Sequence, residues 1–488
     1  MSFVKSVTRV GSKYLQFVGP GLLISISYLD VGNYSVAVSA GGAYGYKLLY
    51  SIVLSNVFAV ILQCLCIKVG SVTGLNLAEL CRKHLPHRLN IVIYILAEFA
   101  IIATDLAEVV GAAIALNILF NIPLAYGIVI TVLDVVIVLF AYKDSGSGEK
   151  VSLAKVRFFE MFLSIFVFLT CVCVSVLLFK IEIPDKRSLF EGFFPVSKDI
   201  LEKRAVYLGL GVLGATVMPH SLYLGSALVQ NRLKDYDVKN GFVDPKVAID
   251  DTQDVSNKYK PSIHALNYCL KYSYWELILS LFTIAVFVNA ALMVVAGATL
   301  FGQPDTEDAD LITIYELLSK YVSSAAGFIF ALSLLFSGQS SGIVCTMSGQ
   351  IVSEGFIKWS VTPWVRRLIT RLLAVMPCMF MVLFMERKGM SEILNASQVA
   401  LSLILPFVSA PLLYFTCSSK FMKVEIKKST IAAPSENTTL LPTTEQTEYK
   451  DYTNGPFLKY SAILTWALIT IFNFVLVFSF MIGEDVSF

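Results

Sequence analysis

Charge is what this sequence has little of. Only 15% of its 488 residues are Asp, Glu, Lys or Arg, against roughly 25% in soluble domains. The 38 basic and 36 acidic side chains nearly cancel, for a net charge of +2. No basic excess therefore marks a nucleic-acid partner. An N-terminal apolar core with a small-residue cleavage site is also missing. Residues 1–14 carry Lys5, Arg9 and Lys13 instead, which reads as a cytosolic tail and not a cleaved signal. Neither H-E-x-x-H nor a P-loop occurs, and no motif supports an enzyme. Of the nine cysteines, Cys64, Cys66, Cys171, Cys173, Cys345 and Cys378 fall in apolar runs, and Cys81, Cys269 and Cys417 fall beside them on the inner side. None sits in an outer loop, so no disulfide framework is expected. The pairs Cys64-x-Cys66 and Cys171-x-Cys173 point in different directions on a helix and read as small core residues.

Apolar surface is what the chain has in excess: 56% of residues are hydrophobic and the mean hydropathy is +0.71. Runs long enough to cross a bilayer recur throughout, which excludes disorder, a fibre and an ordinary cytosolic enzyme. Eleven spans are expected, at about 17–38, 47–69, 90–118, 122–142, 156–180, 206–230, 274–299, 324–350, 367–386, 392–416 and 458–482. The fold class is all-α, a polytopic membrane protein. Its expected organisation is a cytosolic tail (1–16), a ten-helix core (17–416), a disordered cytosolic loop (417–457), and an eleventh helix with a short tail (458–488). Lys and Arg concentrate in the connections that lie inside when the N-terminus is cytosolic, which puts the C-terminus outside, in the lumen of an organelle.

Polar groups within the spans carry the functional signal, because ionisable residues are costly in lipid. The first span holds Asp30, Gly32 and Asn33 at its centre, a composition that breaks a helix and frees carbonyls; broken backbone at that depth must line a cavity or pack on protein. An Asp–Asn pair that merely closes a kink is the alternative. In the sixth span Pro219 frees the carbonyl around Ala215, beside the Met218 thioether and the His220 imidazole. Interruptions in spans one and six of a ten-span core point to an inverted-repeat transporter with its binding site at the midplane. The ligand set is then Asp30 carboxylate, Asn33 amide oxygen, Ala215 carbonyl and Met218 sulfur. One hard anion, neutral oxygens and a soft sulfur suit Mn²⁺ or Fe²⁺ over Ca²⁺ or Mg²⁺. The third span carries Glu98, Asp105 and Glu108, with Arg366 and Arg367 at the start of span nine as their expected basic partners. Such a path is either a proton wire or a structural ion-pair network. Gln339 and Gln398 suit inter-helix hydrogen bonds or transient ligation.

The segments DVGNYS, ATDLAEVVG, GATVMPHSLYLGS, SGQSSGIVCTMSGQIVSEGF, the RRLITR run and ASQVALSLILPF resemble, in order and spacing, the Nramp family of proton-coupled divalent-metal transporters. The likeness covers residues 15–416 and lies nearest the fungal branch that includes a vacuolar iron exporter. The resemblance implies a LeuT-like 5+5 inverted repeat with an eleventh helix. It implies that metal is held by Asp30, Asn33, Ala215 and Met218, with Gln398 joining in an occluded state. It also implies that His220, Asp105, Glu108, Arg366 and Arg367 serve the proton route. Val31 departs from the Asp-Pro-Gly-Asn usual in the family, so the geometry of the first break is open; Gly225 and Ile404 stand where many members have a second histidine and a second glutamine.

The expected function is symport of Fe²⁺ or Mn²⁺ with protons from a vacuole lumen to the cytosol. No cofactor is implied beyond the transported ions, and the partners are metal ions, protons and membrane lipid. A sodium-coupled amino-acid transporter of the same fold and a metal sensor without transport are the alternatives. Within the polar loop, Glu436, Leu440 and Leu441 resemble an acidic-dileucine sorting signal that an adaptor would read at 436–441.

Overall fold

The computed structural model describes residues 20–131, 153–243, 259–303, 309–357, 363–384, 387–426 and 448–481. The first span is two helices, α1 (Pro20–Ile26) and α2 (Val31–Tyr44). Next come α3 (Leu49–Thr73), the short α4 (Leu77–His84) and α5 (His87–Phe120). α4 is fixed by a capping box: Asn76 Oδ1 accepts from Glu79 N at 2.9 Å and Glu79 Oε2 accepts from Asn76 N at 2.9 Å. The expected fourth span enters as helix at 124–131 and then leaves the described residues. α6 (Leu153–Lys180) follows, and the sixth span is again two helices, α7 (Lys203–Thr216) and α8 (Pro219–Lys239). The remaining long helices are α9 (Ile263–Leu300), α10 (Ser324–Ile357), α11 (Pro363–Phe384), α12 (Arg387–Thr416) and α13 (Pro456–Met481). Eight of the described helical units are long and apolar enough to cross a bilayer.

α9 begins eleven residues before the expected 274, because hydropathy marks the apolar window and not the cap. Ser262 accepts from Ala265 N at 3.1 Å and starts the helix over a polar stretch. The loop expected to be disordered also differs at both ends. Residues 423–426 (β1, Lys423–Ile426) pair antiparallel with β2 (Glu448–Asp451) in a two-stranded stem. This stem is held to the bundle: buried Lys68 of α3 donates to Thr453 O at 3.1 Å and Asn454 Oδ1 at 2.9 Å, and Lys450 reaches Asn267 Oδ1 at 2.8 Å. Glu436, Leu440 and Leu441 lie outside the described residues.

Burial separates core from periphery. The α7–α8 unit is 89% buried across its apolar window and α13 only 22%, so the sixth span is central and the eleventh helix faces lipid. α13 nevertheless has a defined seat. Pro406 inside α12 has no N–H, so the Ser402 carbonyl four residues back loses its helical donor. Asn473 of α13 supplies the replacement, donating to Ser402 O at 2.9 Å and accepting from Ser402 Oγ at 3.0 Å. All nine cysteines are free thiols.

Candidate metal centre and carboxylate cluster

The two broken spans meet at one amide. α1 ends at Ile26, and Asp30 caps α2 in extended geometry (φ −88°, ψ 171°), its carboxylate accepting from Asn33 N at 2.9 Å. The break lies at 27–30, so Gly32 is already inside the first turn of α2. Its lack of a side chain serves a close approach: a Cβ there would stand 2.3 Å from Gln398 Cδ. Val31, in place of the family's proline, occupies the first helical position, where the N–H has no intrahelical partner in any case. The helix breaks without the proline because the Asp30 cap, not the missing N–H, defines its start.

Carbonyls freed at this break find donors on neighbouring helices, as buried backbone requires. Tyr28 O accepts from Asn33 Nδ2 at 3.1 Å and Asn289 Nδ2 at 3.0 Å, and Leu29 O accepts from Ser337 Oγ. At the second break, Val217 and Met218 separate α7 from α8, and Pro219 opens α8 at its first position. Ala215 O, four residues before the proline, accepts from Asn33 Nδ2 at 3.0 Å. Asn33 Nδ2 also donates to Asp30 Oδ1 at 2.8 Å. Three oxygens from two broken helices therefore converge on one nitrogen.

Around that point everything is buried. Among the described residues Asp30 Oδ2 and Gln398 Oε1 have no hydrogen-bond partner, and Met218 is 1% exposed at the cap of α8. Gln398 is positioned by backbone contact as well: a Cβ on Gly214 of α7 would lie 1.8 Å from Gln398 O, so α7 and α12 touch main chain to main chain there. His220 is buried one residue past Pro219, its Nδ1 unpartnered. Ordered oxygens of mixed charge, one thioether and a few unsatisfied acceptors form a set that can hold a partly dehydrated cation.

Asp105 and Glu108 come together on α5, and Arg371 of α11 faces them. Its Nη1 stands 3.3 Å from Asp105 Oδ1 and 3.8 Å from Glu108 Oε2, with all three side chains buried. Arg366 and Arg367 lie on the first turns of α11, and their side chains lie outside the described residues. Arg371 was legible in the RRLITR run, since it falls one helical turn after Arg367. Val31 ties the two sites: its Cγ1 would be 2.1 Å from a Cβ on Gly111, one turn beyond Glu108 on α5.

Sequence reasoning passed over a third set of residues. Gln63 Nε2 of α3 donates to Tyr28 OH at 3.1 Å and to Ser221 O and Oγ at 3.1 and 3.0 Å, joining the first break to α8. A Cβ on Gly225 would meet Gln63 Oε1 at 2.2 Å, so Gln63 fills the space beside the position where many family members have histidine. A polar Gln in the middle of an apolar span was the available signal. The stretch 338–342 has the G-x-S-x-G spacing, but Ser340 sits inside α10 and donates to Phe336 O and Ser337 O at 3.0 Å. A nucleophile elbow needs a strand-to-helix turn, which is absent there.

Residues 21–436 match the family described as natural resistance-associated macrophage protein-like. The iron transporter SMF3 of Saccharomyces cerevisiae is 52% identical over 99% of this chain and 100% of its own length. The manganese transporter SMF2 of the same yeast is 50% identical, with 97% and 90% covered. Among solved structures, a manganese transporter of Eremococcus coleocola superposes with a TM-score of 0.73 at 30% identity, over 98% of this chain and 90% of that one.

Proposed function

Since the chain belongs to the natural resistance-associated macrophage protein-like (Nramp) family, we propose that it couples the transport of Fe²⁺ or Mn²⁺ to protons, moving both from a vacuole lumen into the cytosol. The fold is the LeuT-like 5+5 arrangement with an eleventh helix, and the protein is a multi-pass membrane transporter of divalent metal. The observation that carries the proposal is the convergence of Asp30 Oδ1, Tyr28 O and Ala215 O on Asn33 Nδ2, within 2.8–3.1 Å. For a cation to enter, the Asn33 amide turns its oxygen inward, and the metal takes the position from which the nitrogen now satisfies those oxygens. Asp30 supplies the only charge, Ala215 and Asn33 supply neutral oxygens, and Met218 supplies sulfur from the cap of α8. Gln398, packed over Gly32, closes the site from α12. A thioether suits Mn²⁺ or Fe²⁺ better than Ca²⁺ or Mg²⁺, which prefer shells made wholly of oxygen.

The proton route runs in this reading through His220 and the Asp105–Glu108 pair, with Arg371 as their counter-charge and Arg366 and Arg367 on the same helix. The contact between Val31 and the Gly111 turn supports it, because it places the acidic face of α5 against the start of α2. An acidic lumen would supply the driving protons. The 436–441 signal gives the vacuolar address, with the N-terminus cytosolic and the C-terminus lumenal; its Leu440→Ala, Leu441→Ala form is expected at the cell surface or endosomes.

Purified protein in liposomes containing a metal-sensing dye tests the proposal. Mn²⁺ and Fe²⁺ uptake should rise with an inward proton gradient and vanish in Asp30→Asn. Uptake indifferent to the proton gradient removes the coupling, and uptake that persists in Asp30→Asn removes the site.

A further inference from the structure

A second group of metal-ligating atoms lies apart from the helix breaks. Asp105 and Glu108 of α5 and Cys345 of α10 each offer one atom, all within 4.8 Å of one another and all buried. The spacing comes from packing two helices of 34 residues against each other, so nothing local in the chain announces it. Arg371 holds this cluster loosely. Its contacts are 3.3 and 3.8 Å, while the Arg232–Glu276 pair is bidentate, with one contact of 2.8 Å. Among the described residues no group donates to either carboxylate oxygen of Glu108 within hydrogen-bond geometry, at 1% exposure, and Arg371 Nε has no partner either. A buried carboxylate held by one long ion pair, beside a thiol and a second carboxylate, is expensive unless something else occupies the space.

We propose that Asp105, Glu108 and Cys345 form a second cation site that takes thiophilic divalent ions, Zn²⁺ or Cd²⁺, and that filling it arrests transport. A divalent ion that displaces the Cys345 thiol proton to solvent forms a metal–thiolate bond, and its remaining positive charge meets the Asp105 and Glu108 carboxylates beside it. The donor set also separates the two sites. At the helix breaks the only sulfur is a neutral thioether, so Mn²⁺ and Fe²⁺ are held mainly by oxygen; here a thiolate joins two carboxylates, a combination that favours ions with strong sulfur affinity. An ion bound there ties α5 to α10 and removes both carboxylates from proton traffic. The arrest rests on the proton-route reading above, whereas the binding does not.

Full-length protein in detergent, titrated with Cd²⁺ alone, tests the binding. Cd²⁺–thiolate bonds absorb in the ultraviolet and thioether ligation does not, so the expected band saturates in the wild type, persists in Met218→Ala and is lost in Cys345→Ser. Glu108→Gln, which keeps the thiol, should raise the Cd²⁺ concentration that half-saturates the band by more than about tenfold. A band unchanged in Cys345→Ser, or indifferent to Glu108→Gln, overturns the site. In liposomes, Cd²⁺ should inhibit Mn²⁺ uptake with a component that saturating Mn²⁺ does not relieve, and that component should disappear in Cys345→Ser while uptake itself persists. Purely competitive inhibition in the wild type overturns the arrest. If the wild type takes up no Mn²⁺ at all, the proposed transport fails and the Cd²⁺ band still decides the site.

Discussion

Replacing Gly32 by alanine separates two reasons for a glycine at the first break. As a helix breaker, Gly32 would act through backbone freedom, and an alanine in its place would harm the site whatever stands opposite. As a close approach, it acts through Gln398: the new Cβ would lie 2.3 Å from Cδ and Nε2 and 2.6 Å from Oε1. Ordinary contact begins near 3.4 Å, so the amide must retreat by about 1 Å. Retreat is resisted, because Gln398 is fully buried, its Nε2 bonds Ser397 Oγ at 3.1 Å, and its own carbonyl is pressed on Gly214. Overpacking of this kind costs about 1–3 kcal/mol, which corresponds to about 5- to 150-fold in an equilibrium constant. Against it stands a gain of up to about 1 kcal/mol from the better helix propensity of alanine. A net loss of about tenfold in Mn²⁺ affinity is expected, read by titration calorimetry on protein in detergent. The decisive comparison is Gly32→Ala in a Gln398→Ala background. With the collision partner gone, the alanine penalty should shrink by at least about 1 kcal/mol, well outside the additivity expected of independent sites. Equal penalties in the two backgrounds would refute the close-approach argument and return Gly32 to the role of helix breaker.

Three further outcomes are expected. Met218→Ala should let Ca²⁺ compete with Mn²⁺ for uptake while transport continues, since the thioether is the soft group of the proposed shell; unchanged competition would mean the sulfur does not bind metal. Arg371→Met should lower stability in detergent by about 3–5 kcal/mol, because it breaks a buried ion pair by removing one partner; Arg371→Lys should recover part of that loss, and a melting curve unaffected by Arg371→Met would sink the pairing. Asn473→Leu should cost about 1–3 kcal/mol by orphaning the Ser402 carbonyl in lipid, and a Pro406→Ala change that restores the helical N–H should offset most of it. No offset in that double variant would show that Asn473 does something other than serve the proline-freed carbonyl.

Membrane class, spans and both helix breaks could be read along the chain, because each depends on local composition. Apolar runs set the spans, and Asp30, then Met218 and Pro219, mark where helices start again after a break, while Gly32, expected to break the first, lies inside α2. Boundaries were less legible where a cap rather than hydropathy ends a helix, as at Ser262, and where a polar loop finds partners on the bundle, as Lys68 provides for Thr453 and Asn454. Val31 stood against the first break in the sequence, since sequence patterns register the absence of proline but not the strength of the Asp30 cap.

What the chain determined by itself is a set of polar residues too costly to leave in lipid without a purpose. Which of them meet is a matter of tertiary packing. Asn33 reaches Ala215 across 182 residues, Arg371 reaches Asp105 across 266, and Asn289 and Ser337 arrive from separate helices to serve the carbonyls freed near Asp30. Spacing within a helix fixes a face but not the neighbour of that face, so the meeting of Arg371 with Asp105 and Glu108 is a fact of packing. The Asp105–Glu108–Cys345 cluster exists only because α5 and α10 lie side by side, and no periodicity in either helix contains that information.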